Sequence, residues 1–368
     1  MLTVALATGV LLSSVHDTEL RRLDPVTLAP VGAHVQLDGR LNGGWTSRGT
    51  KLALGVTARG RIQIVDGRRS QTLQTGHRDA LWLLSWPRED RILGVGTLAG
   101  RSATVVVADP TTGRVVREVV IDGRVITGRA TADGLALIVA PLDGVADAVL
   151  ALIDGEGSEH RITLAGVPAG DEPAGSNPDP RSLRPDVVVR DGRAYVATDT
   201  RVVEVDLADG AQRAHAIFGA RAAKRVASQR SIESVGPHQL AVSGMEVGHT
   251  EAVSAGLRVV DTRTWGVKVL ARGGGESDVR PGEGRGARPL PGGGFAGWPS
   301  NRGLSLFTAE GDRRVTALRK RRIAQLQVAD RYAYAVAYEP KHRTYVVELS
   351  SGRVVKTLPT AMPPRLLG

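Results

Sequence analysis

A strand, a tight polar turn and a second valine-rich strand recur along this chain, and that repeat constrains the fold more than any other feature. The clearest copy reads "VVVADPTTGRVVREVVID" over 105–122. Counting it as the third, copies lie at 18–32, 61–75, 103–119, 148–164, 201–217, 256–270, 304–318 and 344–358, mostly 40 to 55 residues apart. Upstream of most copies sits a polar turn and an alternating strand, as in "TSRGTKLALGV" (46–56), "REDRILGVG" (88–96), "ADGLALIVA" (132–140), "RDGRAYVATD" (190–199) and "ADRYAYAVAY" (329–338). Alternation of apolar and polar residues places side chains on opposite faces of a strand. The Asp-Gly and Gly-Arg pairs between runs supply the positive-φ positions that tight hairpins require.

Units of four short antiparallel strands, repeated at about 40–50 residues, describe the blades of a β-propeller. A single blade cannot bury both of its faces, so neighbours must stack and the ring must close. The expected architecture is therefore all-β: one eight-bladed β-propeller domain over 1–368, or seven blades if one copy is displaced. Residues 1–32 hold only outer strands of the first blade. The tail 359–368 resembles the inner strand opening the second blade (38–47), so it is expected to supply the missing innermost strand and close the ring. Two stretches break the period, 166–186 and 272–294, both rich in Gly, Pro and charge. They are read as long loops.

Composition removes several chemistries. There is no cysteine, which excludes disulfides, thiolate catalysis and cysteine-based zinc sites. The formal charge of +10 comes almost wholly from arginine, with six lysines among 48 basic residues. Such a charge supports weak polyanion binding, but it speaks to solubility rather than fold, and a nucleic-acid partner is not expected. No run approaches the ~18 apolar residues of a membrane span. The opening "MLTVALATGVLLSSVHD" lacks a basic leader and its apolar part is interrupted. The chain as given reads as cytoplasmic, or as cell-envelope or secreted if a signal sequence once preceded it.

Two resemblances follow from these motifs. "GHRDALWLLSWPREDRILGVG" (76–96) resembles the start of a WD40 repeat, although Ala108-Asp109 stands where the closing Trp-Asp pair belongs. "VVVADPTTGRVV" is similar to the blades of quinoprotein dehydrogenases and bacterial surface propellers, in which an Asp leads into a Thr-Gly turn. The docking Trp of the quinoprotein blades is missing, its region held by Val115, Val116 and Val355, and Trp265 precedes its Gly instead of following it. The resemblance implies a bacterial propeller and specifies shape rather than chemistry.

No catalytic, cofactor or metal residue stands out. The eight histidines include no HExxH pair, and no positions match the acidic, Asn and His set of lactonase-type propellers. "HRD" (77–79) lacks the other parts of a kinase site. "GEGRGA" (282–287) is not set between a strand and a helix as a phosphate loop must be. The sharpest charge features are Arg319, Lys320, Arg321 and Arg322, read as a turn, and Arg221, Lys224 and Arg225 with Arg230, near Arg213 and His215. These are the candidate contacts to an anionic partner, without the aromatics that base stacking needs. The reading is a monomeric, non-catalytic scaffold that needs no cofactor and binds a protein, peptide or glycan. An enzyme of lactonase, hydrolase or dehydrogenase type, with its site at the central channel, is the alternative, and weak polyanion binding through the arginine clusters is the second.

Overall fold

The computed structural model describes residues 12–15, 18–56, 60–66, 69–77, 81–97, 102–171, 182–218, 225–248, 252–273, 286–298, 303–319, 321, 323–337, 343–359 and 365–367. Among them there are strands and turns and no helix. The chain divides into two compact units, Met1–Leu142 with Asp147–Leu164 and Pro364–Gly368, and Asp143–Ala146 with Ala165–Pro363.

The first strands are β1 (Leu12–Val15), β2 (Glu19–Leu23) and β3 (Pro30–Gln36). A four-stranded sheet follows, of β4 (Leu41–Arg48), β5 (Lys51–Val56), β6 (Arg61–Asp66) and β7 (Arg69–Gln74). The next holds β8 (Leu83–Arg88), β9 (Arg91–Thr97), β10 (Ala103–Asp109) and β11 (Arg114–Ile121). Then come β12 (Arg124–Ala130), β13 (Gly134–Ala140), β14 (Gly144–Asp154), β15 (Glu159–Asp171) and β16 (Ser182–Arg184). In the second unit β17 (Asp186–Arg190), β18 (Arg193–Ala197), β19 (Arg201–Asp206) and β20 (Gln212–Ala216) form another four-stranded sheet. After β21 (Arg225–Ser234), β22 (Gln239–Gly248), β23 (Ala252–Asp261) and β24 (Val267–Arg272) there are two more such sheets. One is β25 (Ala287–Pro289), β26 (Phe295–Gly297), β27 (Leu304–Phe307) and β28 (Arg313–Ala317); the other is β29 (Ile323–Ala329), β30 (Tyr332–Ala337), β31 (Arg343–Glu348) and β32 (Val354–Leu358). The last strand, β33 (Arg365–Leu367), pairs antiparallel with β1, Leu12 opposite Leu367 and Ser14 opposite Arg365. The tail thus adds the edge strand next to β1.

Burial explains why the middle strands are apolar runs and the outer ones alternate. All seven residues of β13 are buried, and six of seven in β10. The outer strands β11, β20 and β24 are largely exposed. A strand covered on both faces needs no polar side, so its sequence loses the period of two. Within the first unit Leu93, Val95, Val105, Val107, Leu135 and Leu137 share one core. In the second, Leu304, Leu306, Leu326 and Tyr345 share another. Each such buried side chain contributes about 1.5–3 kcal/mol.

The repeated motif is a turn of one construction. Asp109 accepts hydrogen bonds from the backbone N–H groups of Thr111 at 2.7 Å and Thr112 at 3.3 Å, and from the Thr112 hydroxyl at 2.9 Å. The Gly113 N–H closes the turn on the Asp109 carbonyl at 2.9 Å, with φ at 71°. Asp206 and Gly210 repeat this closure, as do Glu348 and Gly352. Asp109 and Gly113 are therefore turn chemistry, as the repeat implied.

The expectation of eight separate blades is overturned. Among the described residues there are six four-stranded sheets, and the strands around the copies at 148–164 and 256–270 belong to one nine-stranded sheet in the order β12-β13-β14-β15-β16-β21-β22-β23-β24. The stretch 166–186, read as a loop, is responsible. Its first part extends β15 to 13 residues, with Val167 and Ala169 buried. Its last part is β16, which pairs antiparallel with β15 through Gly170 and Leu183, and parallel with β21 through Leu183 and Ser228. Buried Leu183 anchors this bridging strand. Residues 172–181 lie outside the described residues, as do 274–285 of the second expected loop, whose last part contains β25.

Of the Gly76-His77 pair, His77 has a packing role. The His77 ring is buried over Gly96, where an added Cβ would stand 2.5 Å from its Cε1 atom.

Candidate functional site

Of the arginine-cluster residues, Arg221, Lys224, Lys320 and Arg322 lie outside the described residues, and Arg225 opens β21. Arg319 is exposed in the turn after β28, where the unbroken run of charge predicted a turn. Arg321 is half-buried, its guanidinium 5.9 Å from the centre of the Tyr345 ring. Neither lines the cavity described below.

Arg230, grouped with the basic cluster by sequence, is a core residue. Its side chain is fully buried, donating to Glu246 Oε1 at 3.0 Å, the Met245 carbonyl at 3.2 Å and the Asp199 carbonyl at 2.6 Å. Its guanidinium lies 4.7 Å from the Phe218 ring centre, and that of Arg258 lies 4.2 Å from the same ring. Burial, and then the like charge of Arg230, hold the Arg258 pKa below its ordinary value. Two cations about one ring are tolerated because Glu246 is beside them.

The second unit holds a cavity of about 590 Å³ lined by the sheet of β17–β20 and by the 237–238 and 262–265 turns. Its floor follows from strand register. Arg190 is opposite Arg193, Tyr195 opposite Glu204, Glu204 opposite Arg213, and His215 lies two residues beyond Arg213. Directly opposed residues share a face, and so do residues two apart on one strand. Arg190, Arg193, Tyr195, Glu204, Arg213 and His215 therefore stand on one side of the sheet.

Trp265, in the turn between β23 and β24, covers that face. Its indole stacks on the His215 imidazole with centroids 3.3 Å apart and planes at 3°. The Tyr195 ring lies tilted to it at 6.3 Å. The turn is the repeated one: Asp261 accepts from the backbone N–H groups of Arg263 at 2.9 Å and Thr264 at 3.3 Å, and the Trp265 N–H closes on the Asp261 carbonyl at 2.7 Å. Trp265 thus occupies the position of Gly113, in the left-handed region at φ 57°. A bulky residue held there costs about 1–2 kcal/mol, which surrounding contacts must offset.

The polar groups around the cavity are mostly engaged with each other. Arg190 donates to the Gly236 carbonyl at 2.7 Å and to the hydroxyls of Ser234 and Thr262 at 3.0 Å each, and lies over the Tyr195 ring. Arg193 is hydrogen-bonded to the buried Glu204. Arg263 pairs with Asp261 at 3.1 Å, and this bond first, with the turn's backbone donors, lowers the Asp261 carboxyl to about 2. His215 Nε2 lies 3.8 Å from Glu204 Oε2, beyond hydrogen-bond reach, and is buried without a hydrogen-bond partner. Burial lowers the His215 pKa, with Glu204 opposing and Arg213 reinforcing the shift. Among the described residues no group of three His, Asp or Glu is placed to hold a metal ion.

The sequence groups Arg213 with His215 and sets Trp265 apart, and does not reveal the constellation. The missed signal is a charge in a core register. Two residues before the turn carboxylate, other copies carry buried Val107, Val259 and Val346, and this copy carries Glu204.

No protein-family model matches the chain, and no curated protein matches it in sequence. Solved structures do. A dihydro-heme d1 dehydrogenase, NirN, in complex with DHE, is similar with a TM-score of 0.59 at 12% identity, over 97% of this chain and 74% of that one. The computationally designed Ika8 protein gives 0.56 at 12% identity, over 92% and 94%. BamB from Moraxella catarrhalis gives 0.51 at 14% identity, over 90% and 89%. At such identities the likeness is one of fold, and with the repeated four-stranded sheets it makes the chain a β-propeller.

Proposed function

We propose that this chain is a non-catalytic β-propeller that holds a protein or peptide partner in the crevice above β17–β20. The observation that carries this reading is Trp265 stacked on His215, beside the cavity, at a left-handed turn position that Gly113, Gly210 and Gly352 hold in other copies and Leu28 in the first. Leu28 carries the same strain without lining this cavity, so it is the strained position together with a cavity of ligand-binding size that marks Trp265 as chosen for function. The arginines and carboxylates around it, Arg213 excepted, are mostly matched to each other, which suits recognition. A general acid or base needs instead a titratable group free to reach substrate.

Selection from a displayed peptide library tests this reading. Binders recovered on the intact chain are expected to be lost on Trp265→Ala, with the fold checked by circular dichroism. Binders retained in full by that variant contradict the crevice as the site. Turnover of ester or lactone substrates by the purified chain favours the enzyme reading instead.

A further inference from the structure

We propose that the crevice recognises an acidic peptide segment, one of whose side-chain carboxylates seats against Arg213. The inference rests on the binding reading above and names the chemistry of the partner.

Three observations carry it. The first is Arg213 itself. It is exposed on β20 and lines the cavity, and its guanidinium makes no hydrogen bond or ion pair among the described residues. Arg190, Arg193 and Arg263 are held by the hydroxyls, carbonyls and carboxylates named above, so Arg213 is the guanidinium left to meet a ligand. A guanidinium presents its donors in a planar fork that matches a carboxylate.

The second is charge. Four guanidiniums, Arg190, Arg193, Arg213 and Arg263, line the cavity with two carboxylates, Asp191 and Glu204, and Arg263 is in addition neutralised by its ion pair with Asp261. With the histidines neutral one positive charge is left over, which a single carboxylate neutralises. A phosphate dianion overshoots that balance, and it would meet Glu204 directly opposite Arg213 in the strand register.

The third is the aromatic wall. One face of Trp265 is taken by His215, and the ring also packs against the core that contains Tyr195, Ala197 and Val202. The wall shapes the pocket, and the charge provides recognition. The strand carrying Arg213 is the last of its sheet, and an edge strand suits an extended peptide laid beside it.

The test is fluorescence anisotropy with labelled decapeptides identical except at one central position: glutamate, glutamine, phosphoserine or lysine. The glutamate peptide is expected to bind about tenfold or more tightly than the glutamine one, the size expected for a charge-assisted hydrogen bond. That preference should vanish in Arg213→Ala, return in part in Arg213→Lys and weaken with added salt. Glutamine binding as tightly as glutamate overturns the inference, as does phosphoserine binding best. If the library above yields crevice-dependent binders with no acidic enrichment, the carboxylate inference fails and the binding reading stands. If it yields no crevice-dependent binder, both fail.

Discussion

The imidazole of His215 lies flat on the indole of Trp265, with centroids 3.3 Å apart and planes 3° apart. The two residues come from different sheets' strands and turns, and their contact converts a repeated structural turn into the wall of a cavity. The same turn elsewhere ends in Gly113, Gly210 or Gly352, and in Leu28 in the first copy, and none of these lines this cavity.

Trp265→Gly separates folding from recognition. Glycine removes about 1 kcal/mol or more of left-handed strain, and loss of the ring pair costs about 0.5–1.5 kcal/mol. The urea midpoint is therefore expected to move little while peptide binding is abolished. A loss of several kcal/mol would show that Trp265 serves the core instead.

Gly96→Ala is expected to destabilise the first unit, because the new Cβ stands 2.5 Å from the buried His77 ring. Overpacking of this kind costs about 1–3 kcal/mol. His77→Ala in the same chain should recover part of the loss by making room, so a chemical-denaturation double-mutant cycle checks the contact. Additive losses would mean that the two residues do not touch.

Arg230→Met leaves the half-buried Glu246 without its main partner. Breaking one side of a buried ion pair costs about 3–5 kcal/mol, and the remaining cation Arg258 places the expected loss near the lower figure. An unchanged unfolding midpoint would contradict the buried network.

The pH dependence of stability has a sign fixed by His215. Its folded pKa lies below the ordinary 6.5, chiefly through burial. The unfolded chain therefore binds the proton more readily, so stability is full above about pH 6.5 and declines as pH falls toward the folded value. His215→Gln should flatten that part of a denaturation-versus-pH curve. Stability that rises on acidification through this window, and loses the rise in the variant, would reverse the assignment.

Deleting 359–368 removes β33 and leaves β1 as an unpaired edge. A marked fall in melting temperature is expected by differential scanning calorimetry. An unchanged midpoint would show that the tail strand contributes nothing.

Much of the fold was legible because a repeat states its structure several times over. The Asp-to-Gly turn and the tail strand could be read from the copies, whereas the second strands, which read as alternating, are buried along their whole length in β13 and β30. Nor could the separation of every blade be read. Proline, glycine and charge across 166–186 signal a loop, yet Val167, Ala169 and Leu183 within it are buried in the nine-stranded sheet. A few apolar residues in a polar context outweighed the composition once they had strands to join. The site was harder still. Runs of basic residues drew attention to 221–225 and 319–322, whereas the cavity is built from charges spaced by strand alternation, such as Arg193, Glu204 and Arg213. Only cross-strand register brings these together, and Trp265 approaches them from far along the chain. Glu204 in a valine position was the one local sign.

The most direct measurement replaces the five tryptophans by fluorotryptophan and follows their fluorine resonances by NMR, with Trp265 assigned through Trp265→Phe. Titration with the glutamate decapeptide is expected to shift the Trp265 resonance saturably and leave those of Trp86 and Trp298 unchanged. A peptide that binds while the Trp265 resonance stays fixed would contradict the crevice as the recognition site.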